Sequence, residues 1–488
     1  MSAQAIAAMV EAVALGAAGA AGAGAPGGAG MAAAVGSAGA GTAGVLGSAG
    51  AEAAGVLGAG GAGMVDVVGA GGDGWVAHAY DVRVVEVLAH GVGARSDLPI
   101  PLFYAYAGAF AALVVSFLAL GLLWADSRFR GDQAGRPLPV RLPARPARVL
   151  TLLAALYTLG WLVLGPVEEN AGPYLVYVLF WVGLVPASLL FGPVWRTLNP
   201  FRLLPDAPRR PYPRGLGLWP AAAGLLAFTW MELVAPEPAA PLTLLIFLTL
   251  YAAVQLTGTL VYGHAWLERG DPFEVYSTLI GHLSPLGRRA DGRRVLRNPF
   301  DGLDAVQPVP GLVATVCVLL GSTGYDGFST TPAWVDALQS GPLGRTWLGT
   351  LGLLAAVAGV AVLYAACIGA AGLIGGTSGL SPRFAHSLLP IAVGYLIGHY
   401  FSLLVIEGRH TIALALGLPA EADPNAVAPG TIATVQVLAI VLGHVAGVVA
   451  AHDRSVRLLP PARAVAGQIP LFVLMVCYTT GGLTLLLA

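Results

Sequence analysis

A carboxylate or imidazole inside an apolar stretch long enough to cross a bilayer is costly unless it is paired or faces a polar cavity. This chain carries several such side chains. Glu232 lies in the apolar run 217–235, Gln255 in 242–262, His386 and His399 in 384–406, and Gln436 and His444 in 431–451. An acid and an imidazole held at one depth can exchange a proton or hold a small polar solute. Counting along each run places Glu232, His399 and Gln436 in the outer third, and Gln255 with His444 deeper, toward the cytoplasm. The competing reading is packing, because a lone His or Gln in a membrane helix often bonds only to a neighbouring helix. An anion is harder to explain that way. We therefore expect Glu232, His399 and His444 to act in catalysis or proton handling, and Gln255, Gln436 and Arg409 to contact substrate. His386, near the inner end of its run, reads as interfacial.

A second set lies between the runs, on the side opposite most of the arginines: His78, His90, Asp97, Glu168, Glu169, Asp326, Glu407 and His410. Imidazoles with carboxylates are what zinc-type hydrolytic sites use to activate water. His90, His399 and His410 are the candidate ligands for a divalent metal. There is no HExxH spacing, so such a site depends wholly on the fold bringing distant residues together. Haem is the weakest option. His386 and His399 share one run thirteen residues apart, with His444 or His452 as an inner axial partner and Gln436 facing the outer position.

Composition says what kind of elements must position these residues. The chain has 488 residues, 56% hydrophobic and 10% charged, against about 25% charged in a soluble domain. So little charge cannot cover a water-facing surface, and lipid must supply much of the solvent. Apolar runs of membrane-spanning length occupy 102–124, 149–166, 173–191, 217–235, 242–262, 310–323, 346–370, 384–406, 431–451 and 469–487. The sixth is short and continues into Gly324-Tyr325-Asp326-Gly327-Phe328, which suggests a broken or re-entrant helix. The segments 125–148, 192–216, 263–309, 376–383 and 452–468 hold six, five, six, one and three arginines, 21 of the 25. By the positive-inside rule these alternate segments are cytoplasmic and both termini lie outside.

Residues 1–75 are Ala/Gly-rich, with AGVLG at 43–47 and again at 54–58. Glycine at this density opposes a stable helix. The segment reads as disordered, or as sequence upstream of a true start such as Met64. Residues 76–100 read as an extracytoplasmic N-terminal segment and 101–488 as the transmembrane domain. Asn199-Pro200-Phe201 and Asn298-Pro299-Phe300 read as helix starts, with Asn as N-cap and Pro in the first position. Asp271-Pro272-Phe273-Glu274 opens another helix, with Phe273, Tyr276, Leu279, Ile280 and Leu283 on one face. That helix either lies in the cytoplasmic interface, with Arg288 and Arg289 at lipid headgroups, or packs under the bundle.

Several function classes drop out. All 25 basic residues are arginine. A Walker A loop needs its lysine, and pyridoxal phosphate and retinal need a Schiff-base lysine, so neither ATP-driven transport nor Schiff-base chemistry is expected. A net charge of −1 gives no bulk attraction for nucleic acid. Cys317, Cys367 and Cys477 sit in apolar runs without a CxxC and read as packing residues.

AHGVGARSDLPIP (89–101), GPVWRTLNPFRLL (192–204), VYSTLIGHLSPLGR (275–288), NPFDGL (298–303), GYDGFSTTPAW (324–334) and PIAVGYLIGHYFSLLVIEG (390–408) carry a resemblance. The chain, over about residues 85–488, resembles bacterial, especially actinobacterial, multi-pass membrane proteins labelled fenitrothion hydrolase. The resemblance implies hydrolysis of an organophosphorus ester, which needs an activated water and stabilised phosphoryl oxygens. His90, His399 or His410 with Glu232 or Glu407 would activate the water, and Arg95, Arg345 or Arg409 would stabilise the oxygens.

The expected fold is all-α, a polytopic transmembrane bundle of about ten helices, N-out and C-out, in the cell membrane. Two functions are carried forward. One is a secondary carrier or small-solute binding protein with an intramembrane polar site; the other is a membrane-embedded hydrolase of organophosphorus-type esters. The expected partners are the lipid bilayer and a small molecule. No segment between the runs is large enough for an enzyme domain, which favours the carrier; the resemblance favours the hydrolase.

Overall fold

The computed structural model describes residues 102–133, 135–139, 144–166, 169–289, 291–419, 422–423 and 426–487. The expectations for 1–75 and 76–100, and for His78, His90, Arg95, Asp97 and Glu168, fall outside the described residues. What is described is an all-α bundle. Its long helices are α1 (Leu102–Leu123), α2 (Ala144–Leu164), α3 (Ala171–Phe191), α4 (Trp219–Leu233), α5 (Pro241–Tyr262), α6 (Leu312–Ser329), α7 (Arg345–Gly375), α8 (Leu389–Ala415), α9 (Pro429–Leu458) and α10 (Ile469–Leu487).

Among the described residues, nine helical segments are long and apolar enough to cross a membrane, and α4 is the long helix that falls short. Its 15 residues span about 22 Å, less than the roughly 30 Å of a hydrocarbon core. Prolines set this length: Pro220 sits in the first turn, and Pro236 and Pro238 follow the last. A short helix is tolerable here because α4 packs against α6 and the buried helix Pro272–Gly281.

The bundle has an inside and an outside. Only 6% of the apolar window of α2 is buried, whereas 72% is buried in both α6 and the run Ser381–Ala415 that contains α8. Polar side chains on α6 and α8 are therefore shielded by protein. α8 and α9 approach closely through paired glycines, Gly394 and Gly398 on one helix and Gly443 and Gly447 on the other. A Cβ on Gly394 would stand 2.4 Å from the Ala439 carbonyl oxygen, and one on Gly443 would stand 2.5 Å from that of Pro390. No other residue permits this spacing, which is the small-xxx-small rule of membrane helix pairs.

The structure corrects two expectations and decides between two readings of a third. The sixth segment is not broken: α6 continues through Gly324 and Gly327 to Ser329, so Asp326 lies in a helix rather than an outer loop. α8 likewise runs on to Ala415, which puts Glu407, Arg409 and His410 in its last turns. The helix Pro272–Gly281 is not interfacial, since nine of its ten residues are buried; it packs under the bundle. At the arginine-rich end, β1 (Arg136–Pro137), β2 (Leu286–Arg288) and β3 (Arg294–Leu296) form a small antiparallel sheet in the order β1-β3-β2.

Candidate functional site

α6 and α8 converge on one buried carboxylate. Asp326 sits in the last turn of α6, and α8 presents His399 and Tyr400 to it. His399 Nε2 lies 2.7 Å from Asp326 Oδ2, and the Tyr400 hydroxyl donates to the same oxygen at 2.8 Å. All three residues are buried. An ionised carboxylate only accepts, so the neutral imidazole must carry its hydrogen on Nε2 to make this bond. The lone pair is then on Nδ1, which has no hydrogen-bond partner among the described residues. Tyr395 stacks on His399, with ring centroids 6.2 Å apart and planes 7° apart. Its hydroxyl abuts Gly327, where a Cβ would stand 2.8 Å from it, and it too is unpartnered among the described residues.

Glu232, in the last turn of α4, completes the group. Its Oε2 atom is buried without a partner among the described residues. Its carboxyl is within electrostatic range of Asp326 and of the Tyr177, Tyr276 and Tyr400 hydroxyls. Tyr177 comes from a stretch of α3, Leu175–Val182, that widens to i→i+5 bonding. Such turns are frequent at functional sites. There the Gly183 amide donates to Val178 at 3.0 Å, and Trp181 stacks on Tyr276 at 4.5 Å.

Chemically, the group offers two carboxyls, a base nitrogen and a free hydroxyl, contributed by α4, α6 and α8. An unsatisfied buried polar atom costs about 1–3 kcal/mol. Glu232 Oε2, His399 Nδ1 and the Tyr395 hydroxyl are three such atoms around Asp326. They have the chemistry to bind a polar group or to exchange a proton.

A second polar nest lies on the loops of the arginine-rich end. Asn199, Asp271 and Asn298 each accept from the amide two residues on, all at 3.0 Å, as N-caps do. Asn199 also reaches across. Its Nδ2 donates to Asp271 Oδ2 at 2.7 Å and to Glu274 Oε2 at 2.9 Å. Arg202 forms a two-pronged pair with Glu274, one prong from Nε at 3.0 Å. Tyr251 donates to Asp271 Oδ1 at 3.1 Å. Burial, and then Glu274, push the Asp271 carboxyl up to about 7, against the bonds from Tyr251 and the Phe273 amide. Arg202 compensates Glu274, which leaves Asp271 as the nest's proton acceptor near neutral pH.

The remaining expected site residues are placed as follows. Gln436 is buried on α9 level with His399, since a Cβ on neighbouring Gly398 would stand 3.7 Å from the Gln436 Cα. His444 is buried beside Gly443, its Nδ1 on the Ile440 carbonyl at 2.8 Å and its Nε2 unpartnered among the described residues. Gln255 does not join it. Its Oε1 accepts from Trp266 at 2.8 Å, within its own hairpin, and α5 makes no extensive contact with α9.

Arg409 and Glu169 are exposed, while Glu407 is buried and contacts His410 at 3.3 Å. His399 and His410 cannot share one metal ion: eleven residues of one helix separate them by about 16 Å. No cluster of three or more His, Cys, Asp or Glu with metal-binding proximity occurs among the described residues. For the haem reading, His452 is already engaged at both nitrogens, by Gln468 and by the Trp124 carbonyl, each at 2.9 Å. Tyr395 and Tyr400 are the site residues that sequence reasoning missed, and Asp326 was named there only with the outer-loop set, apart from Glu232 and His399. The available signal was that extending 310–323 to Ser329 yields a helix of ordinary spanning length. Comparison with protein-family models, curated proteins and solved structures gives no match for this chain.

Proposed function

We propose that the chain is a secondary carrier or small-solute binding protein in which Glu232, Asp326 and His399 form a proton-exchanging site. The observation that carries this reading is the pair of buried atoms without a partner among the described residues, Glu232 Oε2 and His399 Nδ1, the first within electrostatic range of Asp326 and the second on the ring bonded to it. Asp326 holds the Nε2 hydrogen and Tyr400 fixes that carboxylate. His399 Nδ1 then accepts a proton, and the imidazolium is neutralised by Asp326. Glu232 is the second proton acceptor or the contact for a polar group of the solute. Tyr395 stacks on the ring and Gln436 is buried on α9 at the same level, so both suit solute recognition. The arginine distribution supports N-out and C-out, with α4 counted as a crossing despite its length; the site then lies nearer the outer face.

The alternative, hydrolysis of an organophosphorus-type ester as the family resemblance implies, draws on the same dyad. An imidazole oriented by a carboxylate, with its other nitrogen free, is the arrangement of a general base for water. One assay separates the two. Purified protein in liposomes is challenged with a panel of small charged and polar solutes, and with a nitrophenyl phosphotriester. The carrier reading expects a solute-driven current above that of empty liposomes, with no release of nitrophenolate. Nitrophenolate release that depends on His399, without any current, would replace the carrier by the hydrolase.

A further inference from the structure

The small sheet at the arginine-rich end plays no part in that site, and its register is unusual. Leu286 pairs with Leu296, Gly287 with Val295 and Arg288 with Arg294, while β1 adds Arg136 opposite Leu296. Directly opposed residues share a face, and faces alternate along a strand. Gly287 and Val295 therefore point one way and are buried. The other face presents Leu286, Leu296, Arg136, Arg288 and Arg294. Leu296 is 49% exposed, and Arg136 and Arg288 are exposed as well.

Two arginines set directly opposite each other destabilise a ladder unless something neutralises them. Burial, then Arg196, Arg294 and Arg202, pull the Arg288 guanidinium down. No carboxylate pairs with Arg136, Arg288 or Arg294 among the described residues; Asp291, the acid of the connecting turn, contacts Arg289 and Arg293 instead. An anion bound on this face would neutralise them.

Position says which anion. β2 is tied to the end of α3, where Ser284 donates to the Leu190 carbonyl at 3.2 Å and Gly192 packs on the Leu286 carbonyl. Leu190 and Phe191, in the last turn of that membrane-spanning helix, are 60% and 65% exposed. The sheet thus sits where the lipid-facing apolar surface ends, with exposed leucines beside the guanidiniums.

We propose that this face binds the phosphate of an anionic phospholipid. Arg288 and Arg294 bracket the phosphate and Arg136 flanks it, while Leu286 and Leu296 meet the first part of an acyl chain. Guanidinium forks match phosphate oxygens, and basic groups at this depth attract anionic lipid.

The test is native mass spectrometry of the full chain released from detergent, titrated with phosphatidylglycerol or phosphatidylcholine. Phosphatidylglycerol is expected to be retained preferentially. Arg288→Ala with Arg294→Ala is expected to weaken that retention about tenfold. The charge-matched pair Arg209→Ala with Arg210→Ala, exposed on another loop, is expected to leave it nearly unchanged. Leu296→Ser, at an exposed position, is a second variant, expected to reduce retention severalfold without disturbing the fold. Equal retention of the two lipids, or equal loss in the two arginine pairs, would overturn the proposal. Displacement of the lipid by millimolar inorganic phosphate would also overturn it, assigning the site to a free anion.

Discussion

Asp326 Oδ2 accepts from both His399 and Tyr400, so each substitution around it has a separable effect. Tyr400→Phe removes one donor from a buried carboxylate and is expected to cost about 1 kcal/mol of stability, with partial loss of solute-driven current. Asp326→Asn leaves the fold in place but loses the charge that orients the ring, and the current is expected to fall about 100-fold. Histidine-selective nitrogen NMR checks the cause. In the wild type the neutral His399 ring should carry its hydrogen on Nε2, and that preference should disappear in Asp326→Asn. A wild-type ring protonated on Nδ1 would sink the assignment. Glu232 and His399 were legible from sequence because a charge or imidazole in an apolar run is costly enough to stand out. Asp326 was legible only as a member of the outer-loop set, because flanking glycines made a helix end look like a loop. Tyr395 and Tyr400 carry no such cost and are indistinguishable in sequence from ordinary packing aromatics.

Helix pairing is what brings these side chains to one level. Gly443→Leu would drive side-chain atoms into the Pro390 backbone. It is expected to lower the thermal midpoint in detergent by several degrees and to abolish the current. Gly359→Ala on α7, where nothing lies within 4 Å of the added Cβ, should leave both nearly unchanged. The Asp271 nest makes a pH prediction. Its carboxyl is raised from 3.8 to about 7, so between those values the folded protein holds a proton that the unfolded chain has released. The stability tied to that proton is full below about pH 4 and is lost as pH rises through about 7. Asp271→Asn is expected to flatten this fall in a thermal-unfolding series from about pH 5 to pH 8; an unchanged slope would contradict it. The capping role of Asp271 was legible from Asp-Pro-Phe-Glu alone. Its partners Asn199 and Tyr251 were not, because they come from other segments and only the fold brings them near.

Across the whole molecule, the apolar runs translate into long helices nearly one for one, because bilayer thickness dictates helix length regardless of tertiary detail. The departure is α4, whose length is set by flanking prolines and by shelter from lipid. Orientation follows from the arginine alternation only if α4 is a crossing. A reporter fused after residue 130 is expected to behave as cytoplasmic and one after residue 170 as external; the reverse pattern would overturn the orientation and with it the depth assigned to the site. In the proposed mechanism His399, held by Asp326, moves protons with a solute, and Glu232 is the second acceptor. The most direct measurement is the pH inside dye-loaded proteoliposomes after a jump in the solute that drives the largest current. Wild-type protein is expected to change the internal pH, and Glu232→Gln and His399→Ala, reconstituted at equal levels, are expected to leave it flat. Wild-type pH changes in both variants would contradict the account.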